Sequence, residues 1–404
     1  MRSARPVADR RPRLVYVVTN AVTARVLLDG QLAFMREAGF DVTVVSSPGS
    51  DLDLVGRREG VRVVAVPMER EPALARDVRS LVAMTVALRR LRPDIVNAST
   101  AKGGLLGMAA ARLLRVPVRV YLLRGLRLET TEGITRRILA ATERMATRCA
   151  HEVVCVSPSL RRRYAEQGFA PEERTKVLAA GSSNGVCVER FEVGPDEVRQ
   201  GKVLRERLGI PSDAPVVGFV GRLVRDKGID DLLDAFDELR GVHPRARLLL
   251  VGAGFAGNHA DSRLLARLRD RQDIVVEGYA NALAPYYAMM SMLAFPSHRE
   301  GFPNVPLEAA VAGLPVVGSR ATGVIDAVQD GVTGTLVDVA DSRGLARALE
   351  RYLEDPALAA RHGFAGSSRA RAEFSRERVW QAWRDEYVRL LAARGLPTPR
   401  PEAP

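Results

Sequence analysis

Two glutamates eight positions apart, Glu300 and Glu308, frame the stretch "EGFPNVPLE". Glu300 falls in a turn ahead of Gly301 and Pro303, and Glu308 falls on a predicted helix stopped by Gly313. The amides at the start of that helix, around Asn304 and Val305, can hold a diphosphate. A carboxylate on either side can accept bonds from sugar hydroxyls, and vicinal hydroxyls make such a grip bidentate. A plainer account is that the carboxylates only complement the helix dipole. Against it, Glu308 runs into "AAVAGLPVV" and so sits at the edge of a buried helix, a costly place for an idle charge. A second constellation lies upstream in "GFVGRLVRDKGIDDLL". Gly221 permits a tight turn after a strand, and Arg222 and Lys227 flank a short loop before a helix. Two cations beside a helix start favour an anion. An ordinary solvated loop remains the alternative. Only four lysines occur in the chain, against 56 arginines, and one of them stands here.

These groups need a scaffold, and the chain supplies alternating short apolar runs and longer helical stretches. "LVYVVTN", "DVTVVSS", "VRVVAVP", "DIVNAS", "VRVYLLR" and "EVVCVS" read as strands, with helices predicted at 75–91, 103–114 and 131–149. The runs are nearly continuous in apolar character, as parallel strands covered on both faces require. The pattern pauses at 181–213 and restarts with "PVVGFVG", "ARLLLVG", "DIVVEG", "MLAFPS", "PVVGS" and "TGTLVD". The expectation is an α/β protein of two doubly wound, Rossmann-like domains facing a central cleft. Residues 1–190 form the first domain, 191–213 a linker and 214–370 the second. A helix at 371–393, with both tryptophans, crosses back to the first domain, and 394–404 is a disordered tail.

Composition narrows the field. The 404 residues carry a net charge of +12, of which residues 1–200 hold 33 basic against 22 acidic groups and the remainder 27 against 26. A basic first half suits an anionic surface such as lipid headgroups. No zinc-finger spacing, RNP-like run or helix-turn-helix signal supports nucleic acid. Three cysteines without repeated spacing argue for a reducing compartment. The first apolar run is too short for a signal-peptide core, and no run approaches a membrane span. Any membrane contact is therefore expected to be peripheral.

Some motifs are set aside. Gly252, Gly254 and Gly257 in "LLLVGAGFAG" match a dinucleotide fingerprint with Glu277 downstream, but on the second βα unit of the domain rather than the first. "DLD" at 51–53 reads as a helix start. The five histidines form no i,i+4 pair for zinc. Ser157 and Ser159 lack the setting of a nucleophile elbow.

With these residues in view, the chain resembles glycosyltransferase family 4, retaining sugar transferases of the GT-B fold. "EGFPNVPLE" has the family's E-x7-E pattern, "GRLVRDKG" is similar to its diphosphate loop, and "GLPVVGSRATGVIDAVQDGVTGTLVD" resembles its following strand–loop–strand. "LLDGQLAFMREAGFDVTVVSSPG", "NASTAKGGLLGMAAARLLRVPVRVYLLRGLR" and "GSSNGV" resemble the subset that builds bacterial capsule, O-antigen and protein-linked glycans. The resemblance covers most of residues 13–390. It implies a hexose or N-acetylhexosamine moved from a nucleotide-diphosphate sugar, UDP-linked, to a lipid-diphosphate-linked saccharide at the inner face of a bacterial membrane, with the enzyme cytoplasmic and peripheral. Arg222 and Lys227 would bind the donor diphosphate, Asn304 and Val305 would offer amides, Glu308 would hold the ribose and Glu300 the transferred sugar. Arg222, Lys227 and Glu300 would thus be catalytic. Gly221, Tyr279, Gly301 and Phe302 would complete the nucleotide-sugar pocket. Thr100, Lys102 and Arg124 are expected on the acceptor side. No metal and no cofactor are implied, because fixed cations neutralise the leaving group. The chain departs from the family in having no glycine in "TNAVTAR". Asn97, Ser99 and Thr100 stand where many members have a histidine, Ala101 where proline is usual and Cys187 where aspartate is usual. An epimerase on the same architecture, a glycogen- or trehalose-type transferase with a soluble acceptor, and an inactive sugar-nucleotide binder are the alternatives.

Overall fold

The computed structural model describes residues 10–69, 74–252 and 262–400. The last four residues of the expected tail, and Gly254 and Gly257 of the glycine-rich turn, lie outside the described residues. Two compact units emerge. Residues 1–185 and 376–404 form unit 1, and residues 186–375 form unit 2.

Unit 1 is built on a parallel sheet of β1 (Arg13–Val17), β2 (Asp41–Ser46), β3 (Arg62–Ala65), β4 (Ile95–Ser99), β5 (Val118–Leu123), β6 (Glu152–Cys155) and β7 (Thr175–Lys176), in the order 3-2-1-4-5-6-7. Unit 2 repeats the plan with β8 (Val216–Val220), β9 (Arg247–Val251), β10 (Ile274–Glu277), β11 (Met292–Phe295), β12 (Val316–Ser319) and β13 (Gly334–Val337), in the order 10-9-8-11-12-13. In both sheets the order reverses beside the first strand of the unit. That reversal opens a crevice at the carboxyl ends of the strands, where ligands of such sheets bind. The expected pair of doubly wound domains is the architecture observed.

Three helices of unit 1 matter below: α1 (Leu74–Leu91), α2 (Ala101–Leu113) and α3 (Gly133–Cys149). The middle of α2 is glycine-rich because it lies close to the sheet. A Cβ on Gly107 would crowd Ala98 and Val17, and one on Gly104 would strike the Tyr121 ring.

The segment expected to be a linker, 191–213, instead contains α4 (Pro195–Arg207), which packs within unit 2 on α5 (Ala284–Met289). Gly194 and Pro195 read as loop punctuation but start the helix. Proline sits at its first position, where no amide hydrogen is needed, and the Glu197 carboxylate accepts from the Gly194 amide at 2.9 Å. Two further helices of unit 2 follow: α6 (Val305–Val311) and α7 (Pro356–Phe374). The last element is α8 (Arg376–Ala392). The expected boundary at 371 therefore moves. Residues 371–374 finish α7, and the chain breaks at Ser375, whose ψ of 144° is extended. As expected, the last helix joins unit 1. Trp380 donates to the Asn184 side chain at 2.6 Å and packs on Gly30, where a φ of 74° and the pressing indole both exclude a side chain. Tyr387 is fully buried and accepts from Asn97 of β4 at 2.5 Å.

Candidate functional site

In unit 2 the loops after β8 and β11 are fastened to each other. Gly221 has φ 155° and bonds through its amide to Val251 at 2.9 Å, and Gly252 comes so close to it that a Cβ there would collide with the Gly221 carbonyl. The chain then makes a short 3-10 turn, Arg225–Lys227, closed by Gly228 at φ 69°. A Cβ on Gly228 would strike the Pro296 carbonyl at the end of β11. The glycine thus lets the two loops touch, and polar bonds hold them. The His298 amide donates to the Asp226 carbonyl at 3.0 Å, and Arg299 pairs with the Asp226 carboxylate at 3.2 Å. The His298 ring meets Asp231, in the first turn of the next helix, at 2.5 Å.

This stitching brings Lys227 and Glu300 together. Their side chains form an ion pair, each only about one-seventh exposed, and the Ser297 hydroxyl donates to the same Glu300 oxygen at 2.9 Å. Glu300, read from sequence as reaching for a sugar, is engaged with the lysine read as reaching for phosphate. An ammonium has three donors, so one contact leaves it able to bind an anion as well. Arg222 is exposed and finds no side-chain partner among the described residues.

Asn304 caps α6 without a side-chain bond to it, and the first bond along the helix runs from the Glu308 amide to the Asn304 carbonyl at 2.9 Å. Helix geometry leaves the first-turn amides, Val305 among them, without partners inside the helix. Pro306 has none to offer. Gly301 is buried against Gly323, whose missing side chain makes room for the Gly301 backbone. Phe302 packs on Phe374 with ring centres 5.1 Å apart. Glu308 lies one turn into α6. Burial pushes its carboxyl up to about 7, opposed by the Tyr287 hydroxyl, which donates at 3.0 Å, and by the field of Arg190. Tyr287 and Arg190 were not identified from sequence. No local pattern marks Tyr287, and Arg190 was assigned to the end of the first domain, whereas the fold places it in unit 2. Tyr279 follows β10 and is 64% exposed.

In unit 1 the three expected acceptor-side residues gather where β4 and β5 end. Thr100, at φ 67°, shares a 2.6 Å bond with the Thr19 hydroxyl and so ties the ends of β1 and β4. Lys102 pairs with Asp77 of α1 at 2.6 Å. Arg124 donates from Nε to the Ser99 hydroxyl at 3.1 Å, while its two terminal nitrogens are buried with no hydrogen-bond partner among the described residues. Burial lowers this guanidinium to about 10.

Among the described residues, one group could hold a metal: His243, Glu350 and Glu354. His243 lies at the far end of the helix Ile229–Val242 from the Lys227 loop, roughly 20 Å away at the rise of an α-helix.

Two cations and a helix start on the loops after β8 and β11, with a buried carboxylate one turn into that helix, form an arrangement chemically suited to an anion that also carries hydroxyls. Comparison with known proteins gives the family. Residues 214–355 match the family model "Glycosyl transferases group 1", and residues 6–181 match "Glycosyl transferase 4-like domain". The capsular polysaccharide biosynthesis glycosyltransferase CapM of Staphylococcus aureus is 33% identical over 367 residues, 90% of this chain and 94% of that protein. The chain belongs to this glycosyltransferase family. A second relative is the UDP-Gal:alpha-D-GlcNAc-diphosphoundecaprenol alpha-1,3-galactosyltransferase of Escherichia coli, 25% identical over 79% of this chain and 81% of its own. Among solved structures, Anabaena HepE in complex with UDP and glucose superposes with a TM-score of 0.78 at 21% identity, covering 93% of this chain and 99% of that one. The glycosyltransferase therefore has the GT-B fold.

Proposed function

We propose that this glycosyltransferase moves a hexose or N-acetylhexosamine from a UDP-sugar to a lipid-diphosphate-linked saccharide during assembly of a bacterial surface polysaccharide. The reading rests foremost on one observation: Lys227 and Glu300 meet on loops that also carry Arg222 and lead into α6, with Glu308 one turn inside that helix. Arg222, Lys227 and the 304–305 amides face the charge that grows on the leaving diphosphate. Glu308 accepts from the ribose, and Glu300 turns from its lysine toward the transferred sugar. The C1–O bond to the diphosphate breaks as the acceptor oxygen bonds to C1 on the same face. The acceptor proton passes to the departing phosphate oxygen, so the configuration is retained. Arg222 and Lys227 supply the charge neutralisation that a metal would otherwise give.

The choice of UDP follows HepE and the E. coli galactosyltransferase, and the lipid-diphosphate acceptor follows the latter. The surface-polysaccharide role follows CapM. The test is incubation with UDP-, GDP-, ADP- and dTDP-sugars and a polyprenyl-diphosphate-linked saccharide, with the product read by mass spectrometry. One added hexose or N-acetylhexosamine mass, only with acceptor present and with EDTA in the buffer, supports the proposal. Sugar isomerisation without acceptor would instead make the chain an epimerase.

A further inference from the structure

Helix α3 has two unlike faces. Its inner side buries Glu143, Ala146, Thr147 and Cys149. Glu143 accepts there from the Tyr121 hydroxyl at 2.8 Å. Its outer side exposes Ile134, Ile138 and Met145 to 76%, 47% and 50%. Their spacing places them within roughly 40° of one another around the helix. Arg137, Arg144 and Arg148 run along one flank of this stripe, all exposed.

The pattern recurs two helices away. On α1, Val78, Val82 and Val86 repeat every fourth residue and are 54%, 59% and 43% exposed. Helix α2 packs against both α1 and α3, so the three make one layer with two apolar ridges. The sequences of these helices hold only two acidic residues. Asp77 is paired with Lys102, and Glu143 is buried.

Exposed apolar ridges rimmed by arginine mark an interaction surface. The charge selects the partner. A second copy laid on this face would set arginine against arginine. An anionic bilayer satisfies both features, with guanidinium groups at lipid phosphates and aliphatic side chains at the acyl boundary. No helix among the described residues is long and apolar enough to cross a membrane, so the contact lies in the interface plane. We propose that the α1–α3 layer of unit 1 docks on an anionic lipid bilayer through Ile134, Ile138 and Met145 with Arg137, Arg144 and Arg148. The choice of a bilayer rests on the proposed lipid-linked acceptor, while the surface itself is independent of the donor site.

The test is flotation of the full chain with phosphatidylglycerol vesicles and with phosphatidylcholine vesicles, with UDP affinity and Tm measured on the same samples. The wild type is expected to float with phosphatidylglycerol and not with phosphatidylcholine. Ile138→Glu with Met145→Glu is expected to lower that partition by about tenfold or more, as charges on an interfacial apolar face do. Arg137→Gln with Arg148→Gln is expected to lower it by about fivefold per residue. All the substituted side chains are exposed, so Tm and UDP affinity are expected to stay at wild-type values. Equal flotation with both lipids, or wild-type flotation of the glutamate variant, overturns the proposal. So does a concentration-dependent dimer in light scattering that the glutamate variant abolishes without any flotation, which assigns the face to a second copy. Flotation with no UDP binding leaves this surface standing and defeats the donor reading instead.

Discussion

Glu308 is the residue whose chemistry is most exposed to test. Its carboxyl is pushed up to about 7 by burial. A group whose pKa is raised in the fold adds stability while protonated, and that contribution is lost as pH rises through about 7. A ribose donating two hydroxyl protons reverses the preference, because it needs the carboxylate. UDP binding near neutral pH is therefore expected to release a proton, and affinity is expected to fall as pH drops below about 7. Calorimetry in buffers of different ionisation enthalpy measures the released proton. Glu308→Gln is expected to remove that proton and to flatten the part of the pH dependence that exceeds the titration of UDP itself. For Lys227→Ala, loss of a fixed charge facing the leaving group is expected to cost on the order of 10²-fold in kcat, read by product formation at saturating donor. The proposed groupings were partly legible from residue type and spacing, since the Glu300–Glu308 interval and the Arg222–Lys227 loop both read as ligand-gripping. The Lys227–Glu300 pair was not, because its members lie 73 residues apart and meet only when two loops dock.

At the scale of elements, glycine decides whether the site assembles. Gly228 adopts φ 69° with the Pro296 carbonyl against its α-carbon. Gly228→Ala is expected to push the loops after β8 and β11 apart and to cost about 1–3 kcal/mol of stability, seen as a lower Tm. UDP affinity is expected to weaken at least tenfold alongside, the fold-change that about 1.4 kcal/mol represents. Strand runs were readable because parallel strands covered on both faces are apolar throughout, and among the described residues twelve of the thirteen strands overlap predicted runs, β1 starting one residue early at Arg13. The exception, β7, is two residues long. Helix α4 was missed because Gly194 and Pro195 resemble loop punctuation, and because its surface is polar enough to look like a linker. Its close approach to α5 at Gly201, where a Cβ would press on the Pro285 carbonyl, becomes visible only in the fold.

At the scale of the molecule, the chain returns to unit 1 at the end. Trp380, Trp383 and Tyr387 are buried on α8, and Tyr387 bonds to Asn97 across 290 residues of sequence. Deleting residues 376–404 is expected to abolish cooperative unfolding of unit 1, because it strips aromatic side chains worth several kcal/mol each. UDP binding is expected to survive, since unit 2 keeps all of its strands. Scanning calorimetry and UDP titration of the truncated chain separate the two outcomes. The returning helix was foreseeable as an amphipathic segment with both tryptophans. Its partners Gly30, Asn97 and Asn184 were not, as they are scattered over the first half of the chain.

The most direct measurement compares UDP with uridine by titration calorimetry, in the wild type and in Lys227→Ala with Arg222→Ala. A diphosphate held by these two cations predicts that UDP affinity falls by about two orders of magnitude in the double variant, as two lost charge-assisted contacts at ~1.5 kcal/mol each require. Uridine affinity is expected to stay unchanged. UDP binding the double variant as tightly as the wild type, or uridine weakening in step with UDP, would contradict the account.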